Sequence, residues 1–261
     1  MVILENNNEY IKNYDEVFED IKFVANSIIR LKVLKALYEK PKNMKELTST
    51  TKLNYSSISG ILHGLELKNM IYRKSNKYYL VNFLKLQMKN ILEMTSIVNL
   101  LEDIFNIIEG HVIDNIPEQS INELYLLSEV KLLESDGVDV DKIINFIDDT
   151  LSHADCVRGI FPIYHESFNF RLNELILDDK LVEIKVSKSV FDVYENKSNV
   201  KNLSSFKGKN NFLLIITNEM MIFGLFRNDG IFDQNRLLIS RSENALKWGN
   251  NLFKYFKKKN K

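Results

Sequence analysis

Residues 43–80 read NMKELTSTTKLNYSSISGILHGLELKNMIYRKSNKYYL. Within this stretch, residues 54–65 have the apolar spacing of a helix, yet they include three serines, two glycines and a histidine. These residue types are mediocre or poor helix formers, so helix stability alone does not explain their presence. The stretch therefore raises the question of why one face of a helix carries almost no bulky side chains.

Two helices are predicted before this unusual one. Apolar residues recur at helical spacing over residues 23–37, and the helix ends near Pro41, because proline cannot continue it. Asn43 and Glu46 form a capping-box pattern, which predicts that a short helix begins at Met44 and runs to Thr51.

The third helix is predicted over residues 55–67, with Asn54 as its cap. At about 100° per residue, its apolar residues share one face. That face carries Ile58, Ile61, Leu62 and Leu65. The opposite face and its flanks carry Ser56, Ser57, Ser59, Gly60, His63 and Gly64. The face without bulk is therefore expected to point outward.

Two short apolar runs at 69–73 and 78–80 surround a polar, basic turn, which predicts a hairpin. Three helices followed by a basic hairpin are typical of a winged helix-turn-helix, a fold that places its recognition helix in the major groove of duplex DNA. An alternative is a helical hairpin that contacts protein, in which Gly60 and Gly64 allow close helix packing.

The predicted DNA-binding residues lie on the second and third helices, in the turns before them and on the hairpin. They are Lys42, Lys45, Lys52, Tyr55, Ser56, Ser57, Ser59, Gly60, His63, Arg73, Lys74, Asn76 and Lys77. The third helix has no arginine, and it has no glutamine or asparagine after Asn54. The strongest base-reading side chains are therefore absent, so specificity is expected to be modest or to rest on DNA shape and on the wing.

Charge is distributed unevenly along the chain, although its formal net charge is zero. Residues 22–89 carry 14 lysines and arginines against three glutamates, a net charge of +11. Residues 90–156 carry two lysines against 15 acidic residues, a net charge of −13. A basic block that coincides with a DNA-binding motif favours a polyanionic partner.

Composition narrows the class of protein further. With 261 residues and 45% hydrophobic residues, the chain is long enough for two modest domains. Its single cysteine rules out an intramolecular disulfide, and the stretch MVILENNNEY lacks the features of a signal peptide. No apolar run is long enough to span a membrane. We therefore expect a cytoplasmic protein.

Residues 83–110 are predicted to form a linker helix with two apolar stripes. The first has heptad spacing and consists of Ile91, Met94, Val98, Leu101, Phe105 and Ile108. The second consists of Ile97, Leu100, Ile104 and Ile107. Such a wide apolar surface needs cover, either from the C-terminal domain of the same chain or from the same helix of a second subunit. Pairing between subunits, and hence a homodimer, suits a DNA-binding protein, because two-fold symmetry pairs two half-sites.

The remaining sequence predicts a mixed sheet with helices, after a helical or mixed segment at 121–133. The predicted strands are Cys156–Phe161, Leu181–Val186, Phe212–Thr217, Met221–Phe226 and Arg236–Ile239. The closing helix runs from Glu243 to about Lys257, and its inner face is expected to carry Leu246, Asn250, Phe253 and Phe256. We expect an α+β protein with a winged helix-turn-helix domain at 1–82, a linker or dimerisation helix at 83–110 and an α/β regulatory domain at 111–261. A candidate ligand pocket at the strand ends comprises Arg158, Tyr164, His165, Ser167 and Arg227. An ordinary helix start capped by Ser167 is the alternative there.

The phrases HVIDNIPEQSINELYLL, GIFPIYHESF, GLFRNDGIFD and ALKWGNNLFKYFKKK, together with the wing, resemble archaeal winged-helix transcriptional regulators. These regulators have an ArsR-like N-terminal domain and a middle or C-terminal domain first described in a methanogenesis regulator. The resemblance covers roughly residues 18–258. It implies an archaeal, cytoplasmic regulator of a methanogen, whose second domain receives a small-molecule or protein effector or mediates oligomerisation.

Sequence motifs argue against an enzyme. The resemblance extends distantly to phospholipase D-like folds, which use paired H-x-K motifs, but none of the four histidines here is followed by that lysine. His153 and Cys156 do not complete a zinc site, and nucleotide-binding glycine motifs are absent. We therefore predict no catalytic residues, no metal and no cofactor. The rival functions are a phosphodiester-acting enzyme with a degenerate phospholipase D-like domain and a protein-binding adaptor.

Overall fold

The computed structural model describes residues 21–206 and 212–258. The chain divides into two compact units between Thr95 and Ser96. The stretch MVILENNNEY, on which the expectation about targeting rests, lies outside the described residues. The division into domains at 1–82, 83–110 and 111–261 stays a prediction.

The first unit is a winged helix-turn-helix. Its elements are α1 (Ile28–Glu39), α2 (Met44–Thr51), α3 (Tyr55–Leu67), β1 (Ile71–Lys74) and β2 (Lys77–Leu80), followed by α4 (Asn82–Asp103), which continues past Thr95. The two strands pair antiparallel as a hairpin. Each of these elements contributes apolar side chains to one core, which includes Leu34, Leu47, Ile58, Leu80 and Met88. The predicted three helices and wing are confirmed.

The first helix differs from the prediction, because the helical run breaks before α1. Residues 21–25 are helical, and Ser27 then adopts an extended conformation and caps α1 by accepting a hydrogen bond from the Arg30 amide at 3.3 Å. The Arg30 guanidinium reaches back to the Phe23 carbonyl and lies 4.2 Å from the centre of the Phe23 ring. A serine cap within an apolar pattern therefore divides one predicted helix into two segments.

The second unit is an α/β fold. Its helices are α5 (Phe105–Gly110), α6 (Glu118–Asn122), α7 (Lys142–Ser152), α8 (Glu166–Leu177), α9 (Lys188–Lys197) and α10 (Glu243–Lys258), with a 3₁₀ turn at Leu124–Leu127. Its strands are β3 (Lys131–Glu134), β4 (Cys156–Phe161), β5 (Leu181–Ser187), β6 (Asn202–Phe206), β7 (Phe212–Ile216), β8 (Met221–Leu225) and β9 (Arg236–Ser240). The predicted α+β class, with a winged helix followed by a long helix and a mixed sheet, is confirmed.

The seven strands form one sheet in the order β3-β9-β8-β7-β4-β5-β6. Strand β5 pairs parallel with both β4 and β6, and the crossover helices α8 and α9 connect these three strands. All the other pairs of neighbouring strands in the sheet are antiparallel. Every residue of β7 and β8 is buried, because helices cover both faces of the sheet. This explains why FLLII and MIFGL are continuous apolar runs although the strands are antiparallel.

Three details of the second unit differ from the sequence expectation. Strand β3 lies at Lys131–Glu134, where a helical or mixed segment was expected. Strand β6 was not expected, since NLSSF is too polar to predict a strand. The inner face of α10 was expected at Leu246, Asn250, Phe253 and Phe256, but its most buried large residues are Trp248, Leu252 and Phe253. Trp248 is 1% exposed and donates a hydrogen bond from its indole N–H to the Ser120 carbonyl at 2.9 Å.

A buried histidine–aspartate pair joins the start of the second unit to its sheet. The side chain of His111 is 1% exposed, and its Nε2 lies 2.8 Å from Asp233 Oδ2. Its Nδ1 lies 2.5 Å from the carbonyl oxygen of Ile107. A carboxylate oxygen and a carbonyl oxygen are both acceptors, and each ring nitrogen lies within hydrogen-bond distance of one of them. The pair therefore fixes the chain directly after α5.

Replacing His111 is expected to destabilise the second unit. In His111→Ala the buried Asp233 Oδ2 loses its hydrogen-bond partner while Oδ1 keeps the Asn235 amide, and leaving a buried acceptor without a partner typically costs about 1–3 kcal/mol. Urea unfolding followed by the fluorescence of Trp248, the one tryptophan in the chain, measures this loss. His153→Ala is the matched control, because the His153 side chain is 78% exposed. Equal, small losses in both variants would contradict the prediction.

Candidate nucleic-acid interface

Helix α3 is held by its apolar face. Asn54 caps it by accepting a hydrogen bond from the Ser57 amide at 2.8 Å. Ile58, Leu62 and Leu65 are at most 2% exposed, and they lie in the core of the first unit. Because these three residues face the core, the opposite side of α3 must face outward.

The opposite face of α3 is exposed and carries little bulk. Ser56, Ser59, Gly60 and His63 are exposed, and Tyr55 at the start of the helix is 66% exposed. A Cβ atom built on either Gly60 or Gly64 would have no heavy atom within 4 Å. Packing within the chain therefore does not require these glycines. This observation counts against the alternative in which they serve close helix packing within this chain.

Helix α2 begins with the capping box that the sequence predicted. Glu46 N donates to Asn43 Oδ1 at 2.9 Å, and Asn43 N donates to Glu46 Oε2 at 2.7 Å. That backbone hydrogen bond from Asn43 lowers the pKa of the Glu46 carboxyl group. Glu46 also lies 4.0 Å from the ammonium group of Lys77 on the wing. The box therefore fixes the start of α2, and its carboxylate lies near the second strand of the hairpin.

The wing turns sharply and displays an ordered arginine. Ser75 and Asn76 both have positive φ, 46° and 61°, as in the tight turns typical of two-residue hairpins. Arg73 donates from Nη2 to Asn76 Oδ1, and its guanidinium carbon lies 5.6 Å from the centre of the Tyr78 ring. Arg73, Lys74 and Asn76 are all exposed. The turn and the Tyr78 ring together hold the Arg73 guanidinium at the wing tip.

A groove of about 830 Å³ lies between α2, the start of α3 and the wing. It is lined by Asn43, Met44, Lys45, Thr48, Ser49, Tyr55, Arg73, Asn76 and Tyr78. We call this the wing groove. Four of its residues, Lys45, Tyr55, Arg73 and Asn76, belong to the predicted DNA-binding set. Thr48, Ser49 and Tyr78 were missed, because only the folded hairpin brings α2 beside the wing.

The structure places Lys42 away from the exposed surface, unlike the prediction. The residue is 3% exposed, and its ammonium group donates to the Ala36 carbonyl near the end of α1 and lies 3.5 Å from Glu39. Its own carbonyl accepts a hydrogen bond from Tyr78 N at 2.9 Å. Lys42 therefore pairs with a carbonyl in the last turn of α1 and attaches the wing. Because its ammonium group is buried, it is not available to a phosphate. Lys52, by contrast, is exposed in the left-handed turn between α2 and α3.

The predicted ligand pocket is only partly assembled. Tyr164, His165 and Ser167 lie together after β4, where Ser167 Oγ is 3.0 Å from His165 Nδ1 and Tyr164 packs on the core that includes α8 and α9. Arg158 points to the opposite face of the sheet, where it donates to Asn250 of α10 at 3.3 Å. Arg227 forms an ion pair with Asp229 at 2.6 Å and lines a separate cavity beside β3. The five residues therefore do not form one pocket.

The described part of the chain, residues 21–206 and 212–258, shows neither a group of metal ligands nor a membrane-spanning helix. Within them no three acidic, histidine or cysteine side chains are grouped as metal ligands would be. In the same ranges no helix combines the length and the apolar character needed to cross a bilayer.

The fold and the exposed helix define a winged helix-turn-helix protein with a second, α/β unit. The chain belongs to the family of the methanogenesis regulatory protein FilR1. The N-terminal domain of that protein matches residues 18–102, and its middle domain matches residues 140–259. The family resemblance inferred from the sequence is confirmed. No curated protein matches the chain.

Two solved structures that match this chain have low identity to it and TM-scores below 0.5. The archaeal chromatin protein TrmBL2, described as binding DNA in a novel mode, is 13% identical with a TM-score of 0.40, and the match covers 92% of this chain and 98% of that one. The phospholipase D family member Nuc from Salmonella typhimurium is 10% identical with a TM-score of 0.36, over 50% of this chain and 92% of that one. Matches at these TM-scores do not support a conclusion about the function of this chain.

Substitution of Gly60 separates helix stability from DNA binding. Gly60→Ala should raise the free energy of unfolding by about 0.5–1 kcal/mol, because glycine weakens a helix interior and the added methyl group meets no neighbour. Gly60→Leu should weaken binding to duplex DNA by roughly tenfold or more, because the bulk keeps the helix out of the groove. Thermal unfolding and fluorescence anisotropy with a labelled duplex measure the two effects.

Gly64→Ala is the matched control for this pair. It lies on the flank of the same helix and also has no neighbour within 4 Å of its Cβ position, so it should stabilise the helix without weakening DNA binding. Unchanged DNA affinity in Gly60→Leu would show that the exposed face of α3 does not enter a groove.

Proposed function

We propose that this protein is a homodimeric transcription regulator that binds duplex DNA through α3 and the wing. The exposed face of α3 carries this proposal. Ser56, Ser59 and His63 on it are exposed, and among the described residues nothing lies within 4 Å of a Cβ built on Gly60. The face lies beside the wing groove, which Lys45 and Arg73 line. In this arrangement Ser56, Gly60 and His63 approach base edges, while Lys45 and Lys74 contact phosphates. The net charge of +11 over residues 22–89 supplies the electrostatic attraction.

The salt dependence of binding tests this function directly. Binding to a labelled duplex from upstream of the protein's own gene should weaken steeply with salt, with a log–log slope of about −0.9 for each phosphate neutralised. Lys45→Ala combined with Lys74→Ala removes the two proposed phosphate contacts and should make the slope shallower by about 1.8. The matched control combines Lys188→Ala and Lys201→Ala, two exposed lysines of the second unit, and should keep the full slope.

Two outcomes would favour the rival functions instead. A flat salt slope with weak binding would indicate a protein-binding adaptor. Hydrolysis of the duplex or of a simple phosphodiester by the purified protein would indicate an enzyme. The family is one of regulatory proteins, which supports the proposed transcription regulator over both rivals.

The homodimer is supported by exposed apolar residues at heptad spacing. Three middle positions of the predicted seam, Met94, Val98 and Leu101, lie on α4 and are between 37% and 67% exposed. The predicted linker helix breaks at Ile104, so the fourth position, Phe105, is 59% exposed at the start of α5. The second stripe is covered by the chain itself, since Leu100, Ile104 and Ile107 are at most 4% exposed and lie in the core of the second unit. A heptad seam fits a second helix with the same spacing, so we assign a second copy of this chain as its partner.

Charged residues in the seam should abolish the dimer. Sedimentation velocity should give the mass of two chains for the wild type and of one chain for Met94→Arg combined with Leu101→Arg. Both side chains are exposed within one chain, so the variant should keep its fold by circular dichroism. Leu177→Arg, at a residue that is 78% exposed on α8, is the control and should stay dimeric. A monomeric wild type at micromolar concentration would refute the seam as an interface.

We assign the reception of a signal or partner to the second unit, and we place no ligand site at the five residues predicted from the sequence. Their division between two faces of the sheet and a separate cavity excludes a common ligand. The three-layer arrangement, with helices on both faces of the sheet, suits effector-binding domains, which commonly bind at strand ends.

A further inference from the structure

The exposed face of α3 has few side chains that can identify a base. Arginine on guanine and asparagine or glutamine on adenine are the strongest pairs in the major groove, because each forms two hydrogen bonds to one base. The exposed face of α3 carries serines, glycine and His63 instead. Serine hydroxyls donate and accept equally well, so they discriminate poorly between bases. If the protein prefers particular sequences, another element must supply much of the preference.

The wing tip carries the one arginine between Lys42 and Lys89. The Arg73 guanidinium is held on two sides, by the hydrogen bond to Asn76 Oδ1 and by the Tyr78 ring at 5.6 Å. The hydrogen bond uses one of its five N–H donors. A side chain that is ordered before binding loses less conformational entropy on binding. The tight turn at Ser75 and Asn76 fixes the position of this arginine relative to α3.

A held guanidinium at a wing tip is suited to the minor groove. A recognition helix in the major groove leaves the wing above the adjacent backbone and minor groove. Runs of A·T pairs have a narrow minor groove with an enhanced negative potential, which attracts arginine without base-specific hydrogen bonds. Guanidinium is also more weakly hydrated than ammonium, so it loses less on entering a narrow groove than Lys74 would.

We propose that Arg73, held by Asn76 and Tyr78, makes the protein select duplexes by the narrow minor groove of A·T tracts. The preferred DNA is therefore defined by its shape beside the recognition helix more than by base edges under it. This inference rests on the proposed DNA-binding function and names the class of DNA that the wing selects.

Duplexes with substituted bases distinguish a preference read in the major groove from one read in the minor groove. Three labelled duplexes of about 30 base pairs, three helical turns, carry phased tracts of A·T, of G·C or of inosine·cytosine pairs. Inosine lacks the 2-amino group of guanine, so inosine·cytosine presents the minor groove of A·T and the major groove of G·C. The wild type should bind the A·T and inosine·cytosine duplexes alike, and both about tenfold more tightly than the G·C duplex.

Arg73→Lys tests the assigned residue, because it keeps the charge but not the planar group that Asn76 and Tyr78 hold. This variant should bind all three duplexes within about twofold of one another and keep its affinity for the G·C duplex. Lys45→Ala is the comparison. It removes a phosphate contact, so it should weaken binding to all three duplexes equally and leave the preference intact.

Three results would overturn the inference, and the third would also overturn the proposed DNA-binding function. Binding of the inosine·cytosine duplex as weakly as the G·C duplex would show that the preference is read in the major groove. A full A·T preference in Arg73→Lys would assign it to another residue. Absence of salt-dependent binding to any duplex would also remove the proposed function, whereas the first two results would leave that function standing.

Discussion

The winged helix depends on the burial of one face of α3. Ile58, Leu62 and Leu65 recur every three or four residues, and a helix can present only one such stripe to a core. Once they are buried, Gly60 and its neighbours must face outward, whatever their own preferences. The wing is attached independently, because Tyr78 N donates to the Lys42 carbonyl. These two constraints together create a shallow, basic surface that a groove of DNA can approach.

The second unit follows a different constraint, because its sheet is covered on both sides. Strands β7 and β8 have no exposed residue, so the centre of the sheet is apolar. Buried polar groups lie elsewhere in the unit, among them Lys185 on β5 and the pair of His111 and Asp233. Arg158 on β4 points to the face that α10 covers, whereas Tyr164 lies beyond the end of the strand and packs on the core of the other face, so the two do not meet in one pocket.

Local signals predicted most of the helices and strands, since caps, breakers and periodicity act over a few residues. The capping box of Asn43 and Glu46 and the strand at Cys156–Phe161 were both predicted from such signals. Strand β6 was not, because Asn202–Phe206 has little apolar content of its own and is stabilised by pairing with β5. Trp248 was also missed, as the centre of the buried face of α10 depends on what packs against it.

The sequence by itself determined the winged helix, the mixed sheet of the second unit and the outward face of α3, because each follows from signals between residues close in the chain. Only the tertiary structure decided which polar residues are available. It buried Lys42 against the end of α1, set Arg73 against Tyr78, and covered Leu100 while leaving Leu101 exposed. These outcomes depend on pairings between elements, and a charged or apolar residue looks the same in the sequence whether or not a neighbouring element covers it.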